Sequence, residues 1–230
     1  MIPRRSEHLS AAFALKELTV LVAIGAVLLV LARPTIKQAI TKRDLTRTMN
    51  NARGLYLAGF HMATDGVAKS AANSAWPGDY AQTSLSDYCT KLVQNGYLKA
   101  ADLQEMLSAP GAVCTVNSAA GPPGTVSLSG KSALKIYKVK STDSSQTIFA
   151  ASSNYVYDTA LNPDAVPFGD NGFVVVRKSG DAGIYWKQQA TPAGYDNNPA
   201  KFQSELGRLP GAAAGIVVPG DGGSALINPQ

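Results

Sequence analysis

The chain of 230 residues is 45% hydrophobic and 16% charged, which excludes a disordered tail and fits one globular domain with one additional element. Its 21 Lys and Arg against 16 Asp and Glu give a formal net charge of +5. Five of these cations follow an apolar run: Arg33, Lys37, Lys42, Arg43 and Arg47. This clustering favours phospholipid headgroups as a partner. Nucleic acid is a less favoured partner, because the chain has no aromatic-interleaved basic patch, zinc-finger spacing or RNA-binding signature.

The apolar run comprises the 15 residues from Leu18 to Ala32. Counting Ala11 to Leu15 extends it to the roughly 20 residues that a transmembrane helix needs, although Lys16 and Glu17 are then enclosed. A carboxylate within hydrocarbon costs about 2.5 to 3.5 kcal/mol on insertion scales, so Glu17 calls for a function of its own.

A secretory signal peptide is the main alternative for this segment. Arg4 and Arg5 would be its basic region and Val30–Ala32 its cleavage site. A signal peptide has no use for Glu17, however, and helical patterning continues beyond the run. Apolar residues recur at spacings of mostly three and four through Ile36, Ile40, Met49, Ala52, Tyr56, Phe60, Ala63 and Val67.

One long helix is therefore predicted from Phe13 to about Gly66. It would have about 50 to 55 residues and a length of about 80 Å. Pro34 removes one backbone donor and is predicted to kink the helix near the membrane surface.

The segment Ala12-Phe13-Ala14-Leu15-Lys16-Glu17, with the following run, Gly25 and Pro34, resembles the prepilin signature of the type IV pilin and type II secretion pseudopilin family. The resemblance covers roughly the first 60 residues. It implies that a prepilin peptidase cleaves between Ala12 and Phe13 and that the new amino group of Phe13 is methylated. It also implies that Glu17 binds the free amine of Phe13 on a neighbouring subunit.

The chain departs from this signature in three respects. Ala12 stands where the family usually has Gly, so slower processing is expected. Lys16 lies beside Glu17 and would compete for its carboxylate. Cations following the run outnumber Arg4 and Arg5, which by charge alone would leave the head in the cytosol.

By this resemblance, residues 1–12 are a prepilin leader, 13–66 a long helix that is transmembrane to about residue 33, and 67–230 a globular α+β head. The chain would be a structural subunit without enzymatic activity or cofactor. Its partners would be homologous filament subunits, the prepilin peptidase, an inner-membrane assembly platform and the phospholipid membrane. It would lie in the bacterial inner membrane with its head in the periplasm, and after assembly in a periplasmic or extracellular filament.

An alternative from another class is a secreted, soluble binding domain or hydrolase with an ordinary signal peptide. A mature amino terminus at Phe13 supports the filament subunit, and one at Arg33 supports the secreted domain. Among filaments, a secretion pseudopilus is favoured over an adhesive pilus, because the carboxyl-terminal region lacks a second cysteine pair.

The remaining chain predicts an α+β fold, with the long helix packed on an antiparallel sheet. Short helices are expected from Ser86, as N-cap, to Asn95 and at Ala101–Leu107, and Gly121–Gly124 is expected to turn. Strands are expected at Leu134–Val139, Thr147–Ala150, Tyr155–Tyr157, Phe173–Arg177 and Ile184–Lys187, with Ile216–Val218 as a further candidate. Residues 179–183 would join the last two strands of the sheet in a hairpin.

Cys89 and Cys114 are the only cysteines. In an exported chain they would form a disulfide, and in a cytosolic chain two buried thiols. A closed loop of this length would contribute about 3 to 4 kcal/mol.

Candidate catalytic and metal-binding residues are few. His8 and His61 are the only histidines. A Ser-His-Asp triad would have to use His61 as its base, and His61 is expected to be a surface residue of the long helix, so a hydrolase is not expected. Asp164, Asp170, Asn171 and Asp181 lie in loops and carry side-chain oxygens, the ligand type of a calcium site. Asp170-Asn171-Gly172 more simply predicts a turn, so no metal is expected.

Overall fold

The computed structural model describes residues 8–69, 75–80, 83–119 and 124–229, and within α1 it does not describe the side chains of 8–16 and 28–35. The chain divides into two compact units, Met1–Lys42 and Arg43–Gln230. The predicted leader lies partly, and the Gly121–Gly124 turn almost wholly, outside the described residues. Each unit is treated separately below.

Helix α1 runs from His8 to Lys69, so it is a little longer at both ends than predicted. The residues of the first unit that the structure describes belong to this helix. Their composition explains it, because Leu, Ala, Lys and Glu are strong helix formers. The backbone of Pro34 lies within α1, and the predicted kink there stays a prediction.

The second unit adds three short helices to the last part of α1. Helix α2 spans Leu85–Gln94 and begins at Ser84, whose side chain accepts a hydrogen bond from the Asp87 amide. The predicted N-cap at Ser86 is therefore wrong by two residues. Helix α3 spans Ala100–Met106 and helix α4 spans Pro199–Glu205.

Two antiparallel sheets complete the second unit. Strands β1 (Cys114–Ser118) and β2 (Val126–Gly130) form one pair. The other sheet has the order β3-β4-β5-β6, with β3 at Leu134–Ile136, β4 at Ile148–Ser152, β5 at Phe173–Arg177 and β6 at Ala182–Tyr185. The predicted hairpin between the last two of these strands is confirmed.

The last part of α1 packs on the four-stranded sheet. The Tyr56 ring meets Phe149 of β4 edge to face, with centroids 5.4 Å apart, and the Tyr56 hydroxyl donates to the Lys178 carbonyl at 2.8 Å. Trp76 packs beside both rings, 6.2 Å from Tyr56 and 6.0 Å from Phe149. The prediction of an α+β fold with a long helix on an antiparallel sheet is confirmed.

The carboxyl-terminal segment covers the β3 edge of the sheet. The Leu226 amide donates to the Ile136 carbonyl at 2.8 Å, and the Lys138 amide donates to the Ser224 carbonyl at 2.7 Å. Asp221 anchors this segment through a 2.6 Å ion pair with Lys135. We call residues 221–228 the strap, because they pair with a strand that would otherwise present an open edge.

Several local predictions were wrong. Tyr155–Tyr157 is not a strand; its tyrosines are buried, and the chain turns at Asp158, whose φ is 49°. Ile216–Val218 is not a strand either. Strands β1 and β2 and helix α4 were not predicted.

Candidate assembly surface

The part of α1 that lies in the first unit carries many exposed apolar side chains. Six large ones between residues 18 and 27 are 55% to 70% exposed: Leu18, Val20, Leu21, Val22, Ile24 and Val27. Consecutive positions lie about 100° apart, so these six side chains cover most of the helix circumference, and the remaining sector holds the smaller Thr19, Ala23 and Ala26. A helix segment that is apolar over most of its circumference requires apolar surroundings.

Within the part of the chain that the structure describes, no helix is both long enough and sufficiently apolar to cross a membrane. Contiguous exposed apolar surface of this kind marks contact with other proteins or with lipid.

Glu17 lies in α1 with an exposed side chain, at the beginning of this apolar surface. Phe13 precedes it by four residues, so both positions lie on one face of the helix. The side chains of Ala12 and Phe13 lie outside what the structure describes, so the predicted cleavage, methylation and charge pair stay predictions.

The cations after the apolar run are partly engaged within the protein. Arg43 binds Asp44 at 2.9 Å, and Arg47 binds Glu105 of α3 at 2.8 Å. Lys37 is exposed. The surface-exposed Arg47–Glu105 pair contributes little to stability but connects α1 to α3.

The buried face of α1 in the second unit is only partly the predicted stripe. Ala52, Tyr56 and Ala63 are buried as predicted, together with further residues at helical spacing: Leu45, Leu55, Ala58 and Met62. Phe60 and Val67 were assigned to this stripe but are 40% and 81% exposed. At 100° per residue the buried face is centred near Ala52 and Gly59, with Tyr56 at one edge, and Phe60 and Val67 lie beyond that edge.

His61 lies on the exposed side of α1 against the Phe60 ring, with centroids 6.0 Å apart. The nearby carboxylate of Asp65 accepts a 2.7 Å hydrogen bond from the Tyr97 hydroxyl, which lowers its pKa. Neither contact presents a nucleophile to His61.

The two cysteines are free thiols in this structure and are both fully buried. Both belong to one hydrophobic core, and the pKa of Cys89 is raised first by burial and then by Cys114. The predicted disulfide is not formed here, and their pairing stays a prediction.

The acidic loop residues make contacts typical of turns. Asp170 binds Lys187 at 2.6 Å, and the Asn171 side chain donates to the Phe168 carbonyl at 2.9 Å. Asp181 accepts from the Ser179 hydroxyl at 2.8 Å. Among the described residues no group of three or more His, Cys, Asp or Glu side chains is arranged to hold a metal ion.

Comparisons of the chain with protein-family models, with curated proteins and with solved structures gave no match.

Proposed function

We propose that this protein is a subunit of a type IV pilus-like or type II secretion filament and assembles through α1 after cleavage between Ala12 and Phe13. The observation that carries this proposal is the exposed apolar surface on the part of α1 that lies in the first unit. Six large apolar side chains from Leu18 to Val27 are more than half exposed there. A folded protein leaves such a surface open for a partner.

The same helix supports the proposal at its other end. From Leu45 onward α1 is anchored in the head by fully buried side chains such as Leu55 and Met62. A helix with an anchored end and an apolar end presents the apolar end for association. Head-to-tail contacts between copies generate a filament when the rotation from one copy to the next does not close into a ring.

In this proposal a charge pair sets the axial register between neighbouring subunits of the filament. A carboxylate and an ammonium are each costly in apolar surroundings and tolerable together, so Glu17 would select the amine of Phe13 on the neighbouring subunit. Apolar contact would supply affinity, and the pair would supply specificity.

The subunit would begin in the bacterial inner membrane, with residues 13 to about 33 spanning the bilayer and the head in the periplasm. Prepilin peptidase, an assembly platform, phospholipid and other filament subunits are its partners in this proposal. A pseudopilin is favoured over a pilin, because Cys89 and Cys114 are the only cysteines.

Replacement of Glu17 tests the proposal. Glu17→Ala removes a charge from the apolar segment, so insertion, folding and cleavage should be retained while incorporation into filaments falls at least tenfold. The measurement compares the sheared filament fraction with the membrane fraction of cells that carry the assembly machinery.

Lys16→Ala is the matched control, because it removes the neighbouring charge and should assemble at least as well as the parent. Normal incorporation of Glu17→Ala would contradict the charge-pair mechanism. Loss of assembly in Lys16→Ala alone would transfer the essential contact to the lysine.

A further inference from the structure

A cavity of about 200 Å³ lies beside α4 in the second unit. One wall is formed by Ala200 and Ser204, which are one helical turn apart. A second part of the lining is formed by Ala214 and Gly215 in the loop after α4, and the cavity is open to solvent. These small residues leave the space open, and none of them introduces a charge.

Hydrogen bonds fix the shape of this cavity. The Gln203 side chain, which is 5% exposed, donates to the carbonyls of Ala213 and Ile216 and accepts from the Gly215 amide at 2.7 Å. Arg177 donates to the Ser204 carbonyl at 2.9 Å. Both parts of the lining are therefore held in place before any ligand arrives, which reduces the cost of binding.

Arg208 brings a positive charge to the cavity lining. Its backbone is fixed by hydrogen bonds with Gln146 and Ile148 at 3.1 and 2.9 Å. In the part of the chain that the structure describes, no hydrogen bond or ion pair engages its guanidinium group, which carries five N–H donors. No Asp or Glu side chain is among the residues that line the cavity.

Gln146 adds a second donor. Its side-chain oxygen accepts a 2.9 Å hydrogen bond from Arg177, which orients its amide nitrogen as the remaining donor at the lining. A guanidinium and a neutral amide suit a single negative charge, and Arg binds carboxylates in a bidentate manner.

We propose that this cavity binds a carboxylate on a short apolar stem, with the carboxylate on Arg208 and the stem against Ala200 and Ala214. The volume lies below the roughly 300 to 1,000 Å³ of pockets for drug-sized ligands. It therefore suits a ligand about the size of one amino-acid side chain. The source is either a free short-chain acid or an acidic side chain of a neighbouring subunit.

Titration of the purified full-length chain in detergent micelles with butyrate tests this site. At fixed pH and ionic strength, NMR of the arginine side-chain N–H groups should show saturable binding of butyrate. Butyramide, its neutral counterpart, should bind at least tenfold more weakly. Equal binding of butyramide, tighter binding of inorganic phosphate, or no saturation by butyrate would overturn the proposal.

Arg208→Gln should weaken butyrate binding at least tenfold, whereas Lys201→Gln is the matched control and should bind as the parent does. Lys201 lies on α4 beside the cavity but pairs with Asp196 at 2.7 Å and does not line the cavity. If Arg208→Gln fails to fold, Ala200→Leu replaces it, because it fills the cavity and keeps the guanidinium. Unchanged butyrate binding in either folded variant would overturn the proposal.

Comparing butyrate binding by free subunits and by assembled filaments identifies where the natural carboxylate comes from. Binding by free subunits and by filaments alike identifies a free acid, and binding by free subunits alone identifies an acidic side chain of the next subunit. The butyrate result for free subunits does not depend on assembly, so failure of the proposed function would leave it standing.

Discussion

Gly59 of α1 lies against the Tyr88 side chain of α2. A Cβ atom at this position would overlap the hydroxyl of Tyr88, a fully buried side chain. That hydroxyl has no hydrogen-bond partner among the described residues. The absence of a side chain at Gly59 is therefore a packing requirement.

Gly59→Ala should lower the free energy of unfolding by about 1 to 3 kcal/mol, because a well-packed interface must move to admit the methyl group. Adding Tyr88→Phe should restore most of this loss, since it removes the overlapping oxygen. Chemical denaturation of the single and double variants measures both effects.

Gly54→Ala is the matched control on the same helix. Its Cβ would meet only the flexible end of the Met106 side chain, at 3.2 Å. Methionine adapts to such changes, and Ala has the better helix propensity, so stability should be kept or rise. An equal loss in both variants would show that the Tyr88 contact is not the cause.

The cysteine pair gives a second prediction at the scale of single residues. If the head is exported, Cys89 and Cys114 should be joined by a disulfide that contributes about 3 to 4 kcal/mol. Both thiols lie in the same buried core.

Protein purified from the exported fraction without reductant, and alkylated after denaturation, should show by mass spectrometry no modified cysteine. The same protein treated with reductant should show two. Two alkylated cysteines in unreduced, freshly exported protein would contradict an oxidising location for the head.

At the scale of elements, an ion pair with a buried lysine anchors the strap in addition to its backbone hydrogen bonds. The Lys135 side chain is 8% exposed, and its pKa is lowered by burial despite the opposing effect of Asp221. Asp221 also accepts a 2.8 Å hydrogen bond from the Tyr137 hydroxyl. Removing the carboxylate would leave a buried cation without its counter-charge.

Asp221→Asn should therefore lower the free energy of unfolding by about 3 kcal/mol. Asp196→Asn is the matched control, because Asp196 pairs with Lys201 at a similar 2.7 Å but in an exposed position, and Asn tolerates its φ of 59°. Denaturant titration compares the two, and equal effects would mean that the strap is not anchored by this pair.

Elements were predictable where the local pattern agreed with the tertiary fold. Strand β5 was predicted at its observed bounds, Phe173–Arg177, because adjacent valines favour a buried strand. Strands β1 and β2 were missed, since their Thr, Ser and Asn residues resemble loop composition and pairing decides their structure.

Helix α4 was missed for a different reason. Asn198 accepts a hydrogen bond from the Lys201 amide, and Pro199 follows at the first helical position. This cap followed by proline is a helix-start signal that was overlooked within a Gly- and Pro-rich region. The cavity beside α4 could not be foreseen, because Gln146 joins Ala200 and Arg208 in its lining only through tertiary packing.

For the whole molecule, the sequence predicted one long helix, and α1 runs from His8 to Lys69. At its anchored end only part of the predicted apolar stripe is buried. The residues that the head buries depend on where Tyr56 meets the sheet, whereas an apolar run is visible in the sequence itself.

The amino terminus of the mature, exported protein tests the central claim most directly. Edman sequencing or intact mass spectrometry should find a chain that begins at an N-methylated Phe13, because prepilin peptidase cuts before the apolar helix and leaves it on the subunit. A chain that begins at Arg33 would have lost that helix, and would contradict the proposal of a filament subunit.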